Sequence, residues 1–75
     1  MFRRNTYVNI GEYMYFVINK NTKYKQPYWW VIKSDGNHAT LATSEMYSYK
    51  SDCIKAINLV ANEAADAKYY DRTGE

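Results

Sequence analysis

The stretch TLATSEMYSYKSDCIKAINLV, residues 40–60, decides the fold class of this chain of 75 residues. Small polar and apolar side chains alternate over residues 40–43, which predicts a half-buried strand at 39–44. A polar turn follows, and Ser48 is the expected N-cap because its hydroxyl can accept from the free N–H groups of a first helical turn. Apolar residues then recur at intervals of three and four, as on the buried face of a helix that ends near residues 64–67. They are Cys53, Ala56, Ile57, Val60, Ala61 and Ala64.

Two further strands are predicted before this stretch. Residues 13–18, YMYFVI, and 28–33, YWWVIK, are rich in aromatic and β-branched side chains, which favour strands. The polar loop 19–26 separates them, Pro27 suits the start of the second strand, and the turn at 34–37 leads to the third. The prediction is an α+β fold in the order β-β-β-α, a three-stranded antiparallel β-meander with one C-terminal α-helix packed on one face.

One domain is expected to account for residues 1–75, because a chain of this length builds a single core. Residues 13–66 form the predicted β-β-β-α core, and residues 67–75 form a tail. Residues 1–12 are expected to be an arm or a short extra strand. Within this segment, Tyr7 and Asn9 alternate with the aliphatic residues Val8 and Ile10. Such a pattern suits pairing with a free sheet edge, in the same chain or in a second copy.

The motif around residues 43–60 resembles the signature of the YegP-like family of small domains. The matching residues are Thr43, Ser44, Glu45 and Tyr47 in the turn, Lys50 and Ser51 at the helix start, and Ile57 and Val60 in the apolar stripe. Upstream, residues 28–33 resemble the aromatic middle strand of the family, and Asp35-Gly36-Asn37 its Asn-Gly-like turn. The resemblance extends over roughly residues 15–71, and one repeat unit is present.

This resemblance implies a three-stranded antiparallel sheet on one helix, often doubled by tandem repeat or by dimerisation. It implies no activity, since the family has no settled biochemical function. The chain departs from the family pattern in two places. The turn at 36–39 is longer than the usual tight turn, and Ile54 and Leu59 are apolar at helix positions that are usually polar.

Period-two geometry assigns the strand residues to two faces of the sheet. The face expected beneath the helix carries Met14, Phe16, Ile18, Trp30, Ile32 and Leu41. The other face carries Tyr13, Tyr15, Val17, Trp29, Val31 and Ala42. A solvated antiparallel face is normally polar, and a contiguous apolar patch typically marks an interaction site. We therefore predict a partner or homodimer interface formed by Tyr13, Tyr15, Val17, Trp29, Val31 and Leu59.

No catalytic, metal-binding or cofactor-binding motif is found in the sequence. The one histidine, His38, falls in a predicted turn without a second ligand nearby, and Cys53 falls on the apolar helix face. Ser44 has no histidine base at a suitable place, and the carboxylates are scattered. Three glycines do not form a phosphate-binding loop. The chain is therefore predicted not to be an enzyme and to need no cofactor.

Single-stranded nucleic-acid binding is the alternative function. The residues proposed for it are Arg3, Arg4, Lys20, Lys23, Tyr24 and Lys25. Lysines would contact phosphates, and exposed aromatic residues of the sheet would stack on bases. Against it, the net charge is only +2 and no established RNA-binding signature occurs.

Composition supports a cytoplasmic protein that binds other proteins rather than a membrane. No apolar run approaches the ~20 residues needed to cross a bilayer, and a single cysteine excludes an internal disulfide. Nine tyrosines and two tryptophans are residue types enriched at interfaces. Abundant Asn, Lys, Tyr and Ile have AT-rich codons, which suggests a phage or mobile-element origin. The narrower hypothesis is a small protein that binds and modulates or inhibits a host defence complex.

Overall fold

Three antiparallel strands and one helix follow one another in the computed structural model, which describes residues 13–75. The elements are β1 (Met14–Lys20), β2 (Tyr28–Ser34), β3 (Thr40–Thr43) and α1 (Lys50–Glu63), followed by a short 3-10 turn (Ala64–Asp66). The strand order is β1-β2-β3, so β2 is the central strand. The predicted β-β-β-α architecture is confirmed, whereas the extra strand predicted at 7–10 lies outside the described residues.

The register between β1 and β2 defines two faces of the sheet. Phe16 lies opposite Ile32 and Ile18 opposite Trp30, whereas Val17 lies opposite Val31. Directly opposed residues point to the same side of an antiparallel pair. The side of Trp30 and Ile32 is called the helix-side face, because α1 packs there. The side of Val17 and Val31 is called the outer face.

The core lies between α1 and the central strand. Trp30 and Ile32 on β2 are 7% and 9% exposed, and Cys53 on α1 is fully buried. Phe16 contacts Trp30 edge to face, with ring centroids 5.5 Å apart. Tyr28, Tyr47, Ala56, Ile57 and Val60 pack around this centre, which confirms the predicted stripe from Cys53 to Val60. The buried core is small, as expected for a chain of this size.

Three residues expected in the core are exposed. Met14, Ile18 and Leu41 are 61%, 37% and 55% exposed. Met14 and Ile18 lie on the helix-side face, but on edge strand β1, beyond the central strand that α1 covers.

Leu41 is exposed for a different reason, an irregularity in the pairing of β3 that leaves it without a direct partner on β2. The register between β2 and β3 shifts between Ile32 and Lys33, and it places Ala42 rather than Leu41 opposite Ile32. A bulge of this kind moves every later side chain to the opposite face. Ala42, expected on the outer face, therefore lies on the helix-side face.

After β3 ends, the segment that carries the Thr-Ser-Glu-x-Tyr motif still runs beside β2 and is hydrogen-bonded to it. The Ser44 N–H donates to the Trp30 carbonyl at 2.9 Å. The Trp30 N–H donates to Ser44 Oγ at 2.9 Å, so the hydroxyl replaces the main-chain carbonyl of a regular ladder. Two residues further back on β2, Tyr28 and Tyr47 exchange N–H···O bonds of 3.1 and 2.7 Å. Glu45 and Met46 therefore form a second bulge opposite Trp29.

The helix begins one residue later than the predicted Ser48 cap. Tyr49 is the N-cap residue, with extended backbone and no capping hydrogen bond from its side chain. Ser48 Oγ instead accepts from Gln26 Nε2 at 3.5 Å. The Tyr49 carbonyl accepts from the N–H groups of Asp52 and Cys53 at 3.1 and 3.3 Å, so the helix begins after Tyr49, two residues beyond the Tyr28–Tyr47 bridge.

Candidate interaction surface

The centre of the outer face is apolar. Val17 and Val31 form a directly opposed pair, and Tyr15 and Trp29 lie one step to either side on the same face. All four side chains are half-buried. Among the described residues no helix or strand lies over this face, since α1 packs on the opposite one.

Two residues of the predicted interface lie apart from this centre. Tyr13 precedes β1 and is 66% exposed, and its carbonyl accepts from the Asp35 N–H at 2.7 Å. Leu59 is 63% exposed on α1, which covers the helix-side face. The structure therefore brings Tyr15, Val17, Trp29 and Val31 together and places Leu59 on the other side of the sheet.

One end of the outer face is polar, at the turn between β2 and β3. The Tyr15 hydroxyl and His38 Nδ1 are 2.9 Å apart, and Lys33 Nζ donates to the His38 carbonyl at 3.1 Å. His38 takes the left-handed backbone conformation with φ 59°, which histidine adopts more readily than most residues. Sequence reasoning placed His38 in an exposed turn, and it is exposed, but its contact with Tyr15 depends on a turn geometry that the sequence did not predict.

The other end of the outer face carries an open groove of about 690 Å³. Its lining residues are Asn21, Tyr24, Lys25, Gln26, Trp29, Thr43 and Met46. The loop 21–26 forms one wall, held by hydrogen bonds from the Asn21 N–H to the Pro27 carbonyl at 2.9 Å and from the Tyr24 N–H to the Asn21 carbonyl at 3.2 Å. The bulge opposite Trp29 supplies Met46 to the groove. Among residues 13–75, the lining contains one cation and no carboxylate.

The residues proposed for nucleic-acid binding are divided by the fold. Tyr24, which is 52% exposed, and Lys25 line the groove, and Lys23 lies beside them in the same loop. Lys20 lies opposite Tyr28 on the helix-side face, with Nζ 5.4 Å from the Tyr28 ring centroid. Arg3 and Arg4 lie outside the described residues. Tyr24 and Lys25 are thus brought together with Trp29, one of the sheet aromatics that the alternative function uses for stacking on bases.

Charge is unevenly distributed between the two halves of the described chain. Residues 13–43, the sheet and its loops, carry four lysines and one carboxylate. Residues 44–75 carry six carboxylates and four cations. The sheet is therefore basic, whereas the segment that contains the helix and the tail is acidic.

Cys53 is placed as a core residue. Its side chain is fully buried, and burial raises the pKa of the thiol, so the thiol is protonated at neutral pH and is a poor nucleophile.

Within residues 13–75 no three His, Cys, Asp or Glu side chains are grouped so as to hold a metal ion. No helix in this part of the chain has the length and apolar character to span a bilayer.

Several groove residues were not identified from the sequence. Asn21, Gln26, Thr43 and Met46 belong to a loop, a strand end and a bulge. A period-two pattern does not locate such positions, because it describes regular strands only. The available signal was the break in alternation after Thr43, which marks the bulge that turns Met46 toward Trp29.

Comparison with known families identifies the domain. The family model described as Domain of unknown function (DUF1508) matches residues 25–71, more than half of the chain. The chain belongs to the DUF1508 family. The match confirms the YegP-like resemblance and carries no assigned activity. No curated protein and no solved structure matches the chain significantly.

The motif residues of this DUF1508 domain have structural positions in the fold. Ser44 extends the pairing with β2, and Tyr47 forms the bridge to Tyr28 and packs against the core. Backbone hydrogen bonding and packing thus account for Ser44 and Tyr47 of the Thr-Ser-Glu-x-Tyr turn.

Ser44→Ala is expected to destabilise the DUF1508 domain by about 1–3 kcal/mol, because the part-buried Trp30 N–H loses its acceptor. The measurement is the free energy of unfolding from urea denaturation followed by circular dichroism. Ser48→Ala is the matched control, since Ser48 is exposed and its single contact is long. A Ser44→Ala variant as stable as the Ser48→Ala control would contradict the proposed backbone role.

Proposed function

We propose that this chain is a non-enzymatic protein-interaction module that acts as a homodimer through the outer face. The observation that carries the proposal is the Val17–Val31 pair flanked by Tyr15 and Trp29, with no described element over it. A solvent-facing antiparallel sheet normally presents polar residues there. Aromatic side chains at such a patch are the residue types that most often dominate binding energy.

Self-association also suits the size of the domain. Within residues 13–75, the buried core consists of Trp30, Ile32 and Cys53, with a ring of partly buried residues around it. Small domains bury a low fraction of their surface and are marginally stable alone. A second copy on the outer face would add a second apolar layer, and a two-fold dimer is the commonest closed assembly.

The narrower form of the proposal concerns biological role. Small size, a sequence without a catalytic motif and a composition biased to AT-rich codons support a cytoplasmic protein carried by a phage or other mobile element. Such a protein would bind a host protein complex, for example a defence complex, and modulate or inhibit it. The outer face of the module, centred on Trp29, is the surface proposed for that partner as well.

Val17→Glu is expected to convert the dimer to a monomer, because it places a charge opposite Val31 at the centre of the apolar patch. The measurement is sedimentation equilibrium over a concentration series, with circular dichroism to verify the fold. Asn58→Glu, on the exposed surface of α1, is the control that adds the same charge elsewhere.

A Val17→Glu variant that associates as well as the Asn58→Glu control would exclude the outer face as the dimer interface. Leu59→Glu decides separately whether the exposed residue on α1 belongs to the interface. For the host partner, the tagged variants are used as baits in nuclease-treated bacterial lysate. A protein that wild type and Asn58→Glu retain, and Val17→Glu loses, would support the narrower proposal.

A further inference from the structure

We propose that the groove beside Trp29 binds single-stranded nucleic acid. Among the described residues, its aromatic lining consists of Tyr24 from the loop 21–26 and Trp29 from β2. The groove has a volume of about 690 Å³ and is open to solvent rather than enclosed. Unpaired bases stack on such aromatic side chains, whereas the bases of a duplex are already stacked on each other.

Charge complementarity favours a polyanion in this groove. Lys25 lines it and Lys23 lies two residues earlier in the loop. No carboxylate is among the lining residues in the part of the chain that the structure describes. Residues 13–43 carry four lysines against one carboxylate. Lysine acts as a flexible point charge that suits phosphate without demanding a fixed geometry. The combination of a basic rim and aromatic walls is the arrangement that sequence-tolerant single-strand binders use.

The aromatic, basic and polar side chains at the groove have different roles in this proposal. Trp29 and Tyr24 stack on successive bases, and Lys25 and Lys23 contact the phosphates between them. The Gln26 amide and the Thr43 hydroxyl, which also line the groove, offer hydrogen bonds to base edges. Lys20 takes no part, because it lies on the helix-side face over Tyr28. The proposal does not depend on the homodimer, and only Trp29 is common to the two sites.

The test is fluorescence anisotropy of a labelled oligothymidylate of about 12 nucleotides, titrated with the full chain at several salt concentrations. Lys25→Glu is expected to lower the affinity about tenfold. It is also expected to make the plot of the logarithm of the association constant against the logarithm of the salt concentration less steep, by about 0.7. Tyr24→Ala is expected to lower the affinity about fivefold or more through lost stacking. Lys55→Glu, on the exposed surface of α1, changes the net charge equally and is expected to retain the slope.

Several outcomes would overturn the proposal. Equal loss of affinity in Lys25→Glu and Lys55→Glu would show attraction by net charge alone. Equal affinity for duplex DNA or for a thymidine mononucleotide would exclude a single-strand site. If a Glu- and Tyr-rich peptide displaced the labelled oligothymidylate at the concentration at which unlabelled oligonucleotide does, the groove would be assigned to an acidic protein segment. Absence of binding by the folded wild-type chain would also overturn it.

The two proposals fail separately. Lys25→Glu and Tyr24→Ala are expected to leave self-association unchanged in sedimentation, whereas Val17→Glu removes it. Loss of oligonucleotide binding with intact self-association therefore tests the groove alone. Circular dichroism and thermal unfolding of each variant are measured to test whether it keeps the fold.

Discussion

Trp30→Ala is expected to unfold the domain or to lower its free energy of unfolding by about 3–5 kcal/mol. Trp30 is 7% exposed on the central strand, and its ring contacts Phe16 edge to face. At about 0.05–0.15 kcal/mol per residue, a chain of 75 residues has a total stability of about 4–11 kcal/mol. One truncation therefore removes a large share of the stability. Urea denaturation followed by far-ultraviolet circular dichroism measures the loss.

The neighbouring tryptophan provides the matched control. Trp29 is half-buried on the outer face, so Trp29→Ala is expected to leave the folded state largely intact while weakening the proposed contacts. Equal destabilisation by the two substitutions would show that the outer face belongs to the core. Trp30→Phe adds a second comparison. Among the described residues, the buried Nε1 of Trp30 has no hydrogen-bond partner, so phenylalanine keeps an aromatic ring without an unsatisfied donor.

Cys53→Asp is expected to abolish folding at neutral pH. The side chain of Cys53 is fully buried between α1 and β2, and the described residues around it are apolar or aromatic. An unpaired carboxylate at such a position costs several kcal/mol, comparable with the stability of the whole domain. Loss of the helical circular dichroism signal and of cooperative thermal unfolding would be the observed result.

Two substitutions serve as controls for the buried charge. Ser51→Asp introduces the same carboxylate at an exposed position in the first turn of α1, where it interacts favourably with the helix dipole. Cys53→Ala keeps the site uncharged and is expected to fold with reduced stability. A folded Cys53→Asp variant with cooperative unfolding would show that the site admits water, in conflict with its burial.

Regular elements and their faces were predictable from the sequence. Apolar residues recur with a period of two in the strands and form a stripe from Cys53 to Val60 on the helix, because one side of each element is removed from water. Trp29 and Trp30 were assigned to opposite faces, and the register confirms this assignment. The DUF1508 match independently supports the segment from Lys25 onward.

The sequence did not predict the irregular parts of the backbone, which are the bulge in β3, the start of α1 and the loop 21–26. A bulge shifts the alternation by one residue without changing composition, and this places Ala42 on the helix-side face and leaves Leu41 without a direct partner on β2. The predicted helix cap differs by one residue from the observed one, because the sequence offers a capping hydroxyl at Ser48 whereas α1 follows Tyr49, which makes no side-chain capping hydrogen bond. The groove depends on the conformation of the loop 21–26, which no local pattern specifies.

The hydrogen bonds of Ser44 and Tyr47 to β2 have a consequence for the cooperativity of folding. The connection from β3 to α1 is attached to the central strand at Trp30 and again at Tyr28, so it is not a slack linker. α1 cannot move far from the sheet without the loss of these bonds. Helix and sheet should therefore open as one unit in native-state hydrogen exchange, with the amide protons of Tyr28, Trp30, Ser44 and Tyr47 sharing the opening free energy of the helix.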